Sequence, residues 1–165
     1  MPILDKHSFE FFSKSPEQTR RLGMRLGALL KPGDLVCLQG ELGSGKTTLV
    51  QGIARGWGAQ DEASSPTFVL VNLYRRRDGG ELFHFDAYRV ESPAEANELD
   101  LDGFLERGPL VVEWAEKVES VLPPERLWAC LEYDAEEHRS MRFTASGERF
   151  INLLDSIKQS LFGVN

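Results

Sequence analysis

One short stretch, Gly40-Glu41-Leu42-Gly43-Ser44-Gly45-Lys46-Thr47-Thr48, restricts the folds open to this chain more than any other. Its spacing is G-x-x-x-x-G-K-T. It follows the apolar run Leu35-Val36-Cys37-Leu38 and leads into a segment with Leu49, Ile53 and Trp57 at helical spacing. Strand before and helix after is the context in which this spacing makes a phosphate-binding loop. The residue types suit that chemistry. Gly40, Gly43 and Gly45 let the backbone take positive φ and approach an anion with no Cβ in the way. Successive N–H groups then cradle phosphate oxygens, aided by the positive end of the next helix. Lys46 offers a mobile charge to β- and γ-phosphates, and the Thr47 hydroxyl suits Mg²⁺. The motif predicts nucleotide binding but does not name the reaction.

The rest of the chain narrows the class. At 165 residues it is expected to be a single domain, residues 1–165, burying ~70% of its unfolded surface. The net charge of −7 argues against unaided binding to nucleic acid. The one basic run, Arg75-Arg76-Arg77, adjoins Asp78-Gly79-Gly80 and reads as a solvated hairpin tip. Met1-Pro2-Ile3-Leu4-Asp5-Lys6 lacks the apolar segment of a signal peptide, and no apolar run approaches the ~20 residues of a membrane span. Cys37 and Cys130 sit in strand-like runs and read as buried, reduced thiols, so a cytoplasmic location is expected.

In order, Phe9–Phe12 suggests an edge strand. Ser15-Pro16-Glu17-Gln18 opens a helix as a capping box, with Leu22, Leu26, Leu29 and Leu30 as its apolar stripe. Strand 35–39, the phosphate loop and helix 46–57 follow. Phe68 to Tyr74 and Leu82 to Asp86 predict an antiparallel hairpin. Ser92-Pro93-Ala94-Glu95 is a second capping box, and Leu101, Phe104 and Leu105 continue at helical spacing up to Gly108-Pro109. Leu110-Val111-Val112-Glu113-Trp114 reads as a buried parallel strand. A short helix over 115–122, strands at 127–133 and 141–144, and a closing helix from Glu148 complete the chain. The expected fold is α/β, a P-loop NTPase-like single domain. Its mixed sheet has a parallel centre and antiparallel hairpins, placed at one side.

Nucleotide hydrolysis needs a carboxylate near the metal, at the end of a strand beside the loop. Glu113 and Asp86 both qualify. Either can hold Mg²⁺, directly or through water, while the other orients the attacking water. Thr67, after Ser65-Pro66, carries a hydroxyl able to sense a γ-phosphate. His84 alternates with Phe83 and Phe85 and so faces away from them, with no Cys or His companion for a metal. Trp114 beside an acid reads as core or rim packing. Arg89 is placed to neutralise phosphate or to pair with a surface acid.

Together, the phosphate loop, Ser65-Pro66-Thr67-Phe68, His84-Phe85-Asp86-Ala87-Tyr88-Arg89 and Val112-Glu113-Trp114 occur in an order that resembles the TsaE (YjeE) family. The likeness runs from about Ser15 to Arg139. It implies a compact P-loop domain that hydrolyses ATP with Mg²⁺, slowly alone and faster with a TsaD–TsaB pair. That pair forms threonylcarbamoyladenosine on tRNA, so tRNA is met only through the partners. By the same resemblance Lys46, Asp86 and Glu113 are catalytic, and Thr47, Glu113 and Asp86 surround the metal. Pro16, Thr19, Glu41, Leu42, Gly43, Ser44, Gly45, Lys46, Thr47, Thr48 and Arg139 bind the nucleotide. Thr67 and Trp114 are switch or partner-facing positions. The chain departs from the family pattern at Ala115 (usually Pro), Glu41 (commonly Asp) and Ser44 (commonly Ala); none of these removes a group the chemistry needs.

Three other readings compete. A P-loop small-molecule kinase needs an acceptor pocket and an arginine-bearing lid, for which Arg75-Arg76-Arg77 is the candidate. A GTPase commonly carries N-K-x-D, absent here. A non-catalytic ATP-binding partner would keep its behaviour in Glu113→Gln.

Overall fold

The computed structural model describes residues 6–60 and 71–162. Thr67, the Ser65-Pro66-Thr67 turn and the start of the strand expected from Phe68 lie outside the described residues. The first half runs β1 (Ser8–Ser13), α1 (Pro16–Leu29), β2 (Leu35–Gln39), α2 (Lys46–Trp57), β3 (Val71–Arg75) and β4 (Glu81–Asp86). The second half runs α3 (Pro93–Asn97), α4 (Leu101–Arg107), β5 (Leu110–Glu113), β6 (Arg126–Ala135), β7 (His138–Ser146) and α5 (Glu148–Phe162).

The strands form one sheet in the order β1-β7-β6-β2-β5-β4-β3. Its centre is parallel: β2 lies between β6 and β5, and β5 also pairs with β4. Antiparallel strands flank this centre on both sides, β3 on β4 and the β6–β7–β1 meander on the other. The expectation of antiparallel strands on one side only is thereby corrected. β7 supplies the difference, because it returns antiparallel along β6 on the side away from β3, and β1 then pairs with it, Ser8 opposite Thr144.

Strand alternation sorts the core into two. Val36, Leu38, Leu82, Val111 and Leu127 face α1, α2 and α5, while Leu35, Cys37, Phe83, Phe85 and Val112 face α3 and α4. In α1 the stripe Leu22, Leu26 and Leu30 is buried as expected, but Leu29 is 38% exposed and leaves it. Cys37 is buried, and desolvation pushes its thiol up to about 12; Cys130 is only half-buried, and both are free thiols.

α1 and α2 touch backbone to backbone. Gly23 and Gly27 on one helix face Gly52 and Gly56 on the other. A Cβ on Gly27 would lie 2.0 Å from the Ile53 carbonyl oxygen, and one on Gly52 would lie 2.2 Å from that of Arg20. Ser15 caps α1 by accepting from Gln18 N–H at 3.2 Å, while Gln18 Oε1 accepts from Lys14 N–H at 2.8 Å. The return bond of the box thus lands one residue before the cap. The second box is not made: Ser92 caps α3 without a side-chain bond. The helix expected at 115–122 is two 3₁₀ turns, Ala115–Lys117 and Glu119–Val121. Three-residue winding stacks Ala115 and Val118 on one side, and both are fully buried.

Candidate functional site

β2 ends at Gln39 and the glycine loop turns directly into α2, whose N-cap Gly45 has φ 104°. That left-handed geometry is open to glycine and strained for a residue with a Cβ. Ser44 N–H donates to the Glu41 carbonyl at 3.1 Å, closing the loop on itself. Lys46, 5% exposed, folds back over it, and its Nζ donates to the Gly40 carbonyl, to the Glu41 carbonyl at 3.0 Å and toward Ser44 Oγ at 3.5 Å. The same Nζ lies 4.3 Å from the centre of the Trp114 ring.

The two acids arrive on neighbouring parallel strands. Asp86 ends β4, Glu113 ends β5, and the two are register partners. Asp86 Oδ1 accepts from Tyr88 N–H at 2.9 Å, and Ala87 N–H donates to the Glu113 carbonyl at 3.0 Å. Leu38 of β2 is paired with Glu113, so the strand that feeds the loop runs beside the acid. Trp114 leaves the strand expected for it: it sits in the left-handed region, φ 57° and ψ 38°, and packs tilted against Tyr88 at 5.0 Å. For a bulky residue this backbone is strained by about 1–3 kcal/mol, a feature that clusters at functional sites.

These groups line one cleft of about 380 Å³, with Leu42, Gly43, Gly45, Lys46, Thr47, Thr48, Asp86, Tyr88, Glu113, Trp114 and Arg139 on its walls. Arg139 enters from β7. Its Nε donates to the Gly43 carbonyl at 2.9 Å, and its guanidinium lies 4.8 Å from the Tyr133 ring. Glu41 and Ser44 belong to the loop but do not face the cleft; Glu41 is exposed, and the Ser44 side chain is buried beneath. Pro16 and Thr19 stand apart at the start of α1. Thr19 is buried with its hydroxyl 2.7 Å from that of Ser13, whose register partner is Arg139. The structure thus places this helix entry beside the arginine rather than on the cleft wall.

Desolvation leads the electrostatics of the cleft. Burial holds the Lys46 ammonium below its usual value, against the opposing pull of Glu113, Glu116 and Asp86. Burial raises the Asp86 carboxyl, the Tyr88 N–H bond lowers it, and the Glu113 charge raises it again. A cation between the acids would relieve that repulsion. The Thr47 hydroxyl, Asp86 and Glu113 are hard oxygen donors, suited to Mg²⁺. Among the described residues no group of three His, Cys, Asp or Glu side chains can hold a metal by itself.

Two features lay outside the sequence reading. His84 does face away from Phe83 and Phe85, and what it faces is Glu113, Nε2 to Oε2 at 2.5 Å. Parallel register sets that pairing, and no local signal gives it. The basic run is likewise not a plain solvated tip. Arg76 is half-buried, 3.6 Å over the Trp57 ring and paired with Asp78, while Arg75 and Arg77 are exposed. Trp57 is the last residue of the 12-residue α2, whose first residue is Lys46. At ~1.5 Å rise per residue the run sits almost the length of α2 from the loop, too far for a lid over phosphates.

Known proteins match this arrangement. The family model for threonylcarbamoyl adenosine biosynthesis protein TsaE matches residues 13–141. The TsaE protein of Bacillus subtilis strain 168 is 37% identical over 147 residues, covering 88% of this chain and 90% of its own. That of Streptomyces coelicolor is 42% identical over 137 residues, covering 79% and 93%. The crystal structure of Bacillus YdiB superposes with a TM-score of 0.77 at 32% identity, covering 93% of this chain and 95% of the other. With a glycine-rich loop and two acids gathered at the ends of parallel strands, and with these relatives along most of its length, the chain belongs to the TsaE family.

Proposed function

We propose that this protein is the Mg²⁺-dependent ATPase of the machinery that forms threonylcarbamoyladenosine on tRNA, and that hydrolysis resets or regulates a TsaD–TsaB pair. One observation carries the reading: the loop residues Lys46 and Thr47 and the acids Asp86 and Glu113 line a single cleft. Family membership supports the pathway, since the relatives are named for it.

Each residue has a task in this scheme. Loop N–H groups between Gly43 and Thr48 hold phosphate oxygens. Lys46 exchanges its loop carbonyl partners for the β/γ end of ATP. Thr47 and one or both acids would hold Mg²⁺, which when bound would supply positive charge to offset the charge developing on the phosphate oxygens. The acid not committed to the metal orients water for in-line attack. Arg139 steadies the loop at Gly43 and presents a cation at its rim. Catalysis here is positioning and charge stabilisation, with no covalent step for the protein. The acidic balance fits a component that leaves the grip on tRNA to its partners. Among the described residues no helix is long and apolar enough to cross a membrane.

ATP turnover by the full chain, alone and with a TsaD–TsaB pair and tRNA, tests the proposal. Strong stimulation by the pair is the expected outcome. Lys46→Ala should abolish turnover and weaken ADP binding, whereas Glu113→Gln should lower turnover ~100-fold with ADP still bound. Turnover that ignores the pair and rises with a small hydroxyl compound would instead establish a kinase.

A further inference from the structure

His84 is completely buried between β3 and β5, in a line of polar groups that crosses three adjacent strands. Its Nε2 lies 2.5 Å from Glu113 Oε2 and its Nδ1 lies 3.2 Å from the Tyr74 hydroxyl. Asn72 Nδ2 donates to that hydroxyl at 3.4 Å, and Asn72 is the register partner of His84. The Tyr74 and His84 rings lie 6.0 Å apart and 27° from parallel, which fixes the imidazole plane. Tyr74 is 5% exposed and Glu113 2%, so water does not compete for these bonds.

Hydrogen-bond chemistry orders the line. An ionised Glu113 can only accept, so Nε2 carries the proton. A neutral imidazole then accepts at Nδ1, and the Tyr74 hydroxyl donates to it. The hydroxyl oxygen in turn accepts from Asn72. Every donor points the same way, from the edge strand toward the acid. The bond to His84 occupies Oε2 and leaves Oε1 untied by it, while Glu113 lines the cleft.

We propose that His84 is a positioning residue for Glu113. It clamps one carboxylate oxygen so that the other is presented to the cleft in a fixed direction, with the Tyr74 hydroxyl bonded to the far ring nitrogen and holding the imidazole in place. Outer partners of this kind, orienting a carboxylate or imidazole that does the chemistry, typically change metal affinity or activity 10–100-fold when removed. The inference rests on the reading of Glu113 as the acid of the ATP-hydrolysing site.

The test compares His84→Gln, whose Nε2 can supply the donor, with His84→Leu, which cannot. Glu113→Gln and the double variant His84→Leu/Glu113→Gln complete a cycle. Saturating Mg²⁺·ATP turnover should fall about 10–100-fold in His84→Leu and recover in large part in His84→Gln. The double variant should be no slower than Glu113→Gln, because two residues acting as a unit are not additive. In the nucleotide-free protein, imidazole ¹⁵N spectra should show His84 as the neutral Nε2–H tautomer, assigned by eliminating the signals lost in His7→Gln and His138→Gln. Wild-type turnover in His84→Leu alongside a slowed Glu113→Gln sinks this proposal and leaves the ATPase reading standing. Wild-type turnover in Glu113→Gln sinks the clamp together with the reading of Glu113 as the acid of the site. Equal losses in His84→Gln and His84→Leu refute the donor role. If neither His84 variant folds, an Nδ1–H tautomer in the wild-type spectrum overturns the clamp by itself.

Discussion

A carboxylate held above its ordinary range is a group the folded state would rather keep protonated. Asp86 is in that position, with burial as the main cause. Because its folded value is raised, the associated stability is complete below the ordinary carboxylate range and is lost as pH rises through the folded value. At neutral pH the Asp86 charge therefore works against folding. Asp86→Asn keeps the acceptor for Tyr88 N–H and removes that charge. It should melt above wild type at pH 7, with the gap closing below about pH 4, as thermal melts across pH would show. A constant gap at every pH would place the effect outside ionisation. Asp86 and Glu113 were legible in the sequence because a carboxylate after an apolar run marks a strand end. Their pairing with each other, and His84 as the neighbour of Glu113, were not. Both depend on which strand lies beside which, and alternation within one strand carries no such information.

At the scale of elements, the glycine contact between α1 and α2 makes a sharp demand. A Cβ at Gly27 or Gly52 would overlap a backbone carbonyl, and backbone cannot step aside as a side-chain tip can. Gly27→Ala should cost about 3 kcal/mol, at the upper end of overpacking, despite the better helix propensity of alanine. Urea unfolding would measure it, and a stabilised variant would mean that the helices can separate at no cost. The sequence offered α2 to the residue, since the loop marks its start and Gly58 its left-handed end. It gave less where signals are short. The Ser92 box matched its pattern, but in the five-residue α3 the Ser92 side chain makes no cap bond. The 115–122 segment had helical composition, but between Trp114 in a left-handed conformation and Pro123-Pro124 it winds as two 3₁₀ turns.

Across the whole molecule, α5 is joined to the turn before β2 by a buried acid. Asp34, 2% exposed, accepts from Arg149 Nη2 at 2.7 Å and Nε at 3.0 Å, and from Lys31 N–H at 2.9 Å. Arg149 also donates to the Leu29 carbonyl at 2.8 Å. Asp34→Ala leaves a backbone donor and a partly buried guanidinium without their acceptor, and should cost about 3 kcal/mol in denaturant melts. A loss under about 1 kcal/mol would reduce the link to an ordinary surface pair. Neither residue stood out in the sequence, because ion pairs between distant elements leave no periodic trace. The α/β class, the parallel centre and the late hairpin were legible from the order of strands and helices, while the placement of that hairpin and β1 on the side opposite β3 was not.

That meander has a consequence during synthesis. β1 leaves the ribosome among the first structured residues, yet its partner β7 ends at Ser146. At the ~5–20 residues per second of translation, the edge strand waits on the order of ten seconds for its mate. Phe9, only 8% exposed in the finished fold, has no sheet to join through that interval. The nascent chain cannot bank its structure piece by piece from the N-terminus. Closure of the sheet is a late event, and a chain stalled before residue 138 would present an unpaired, phenylalanine-rich strand to any chaperone or neighbour in reach.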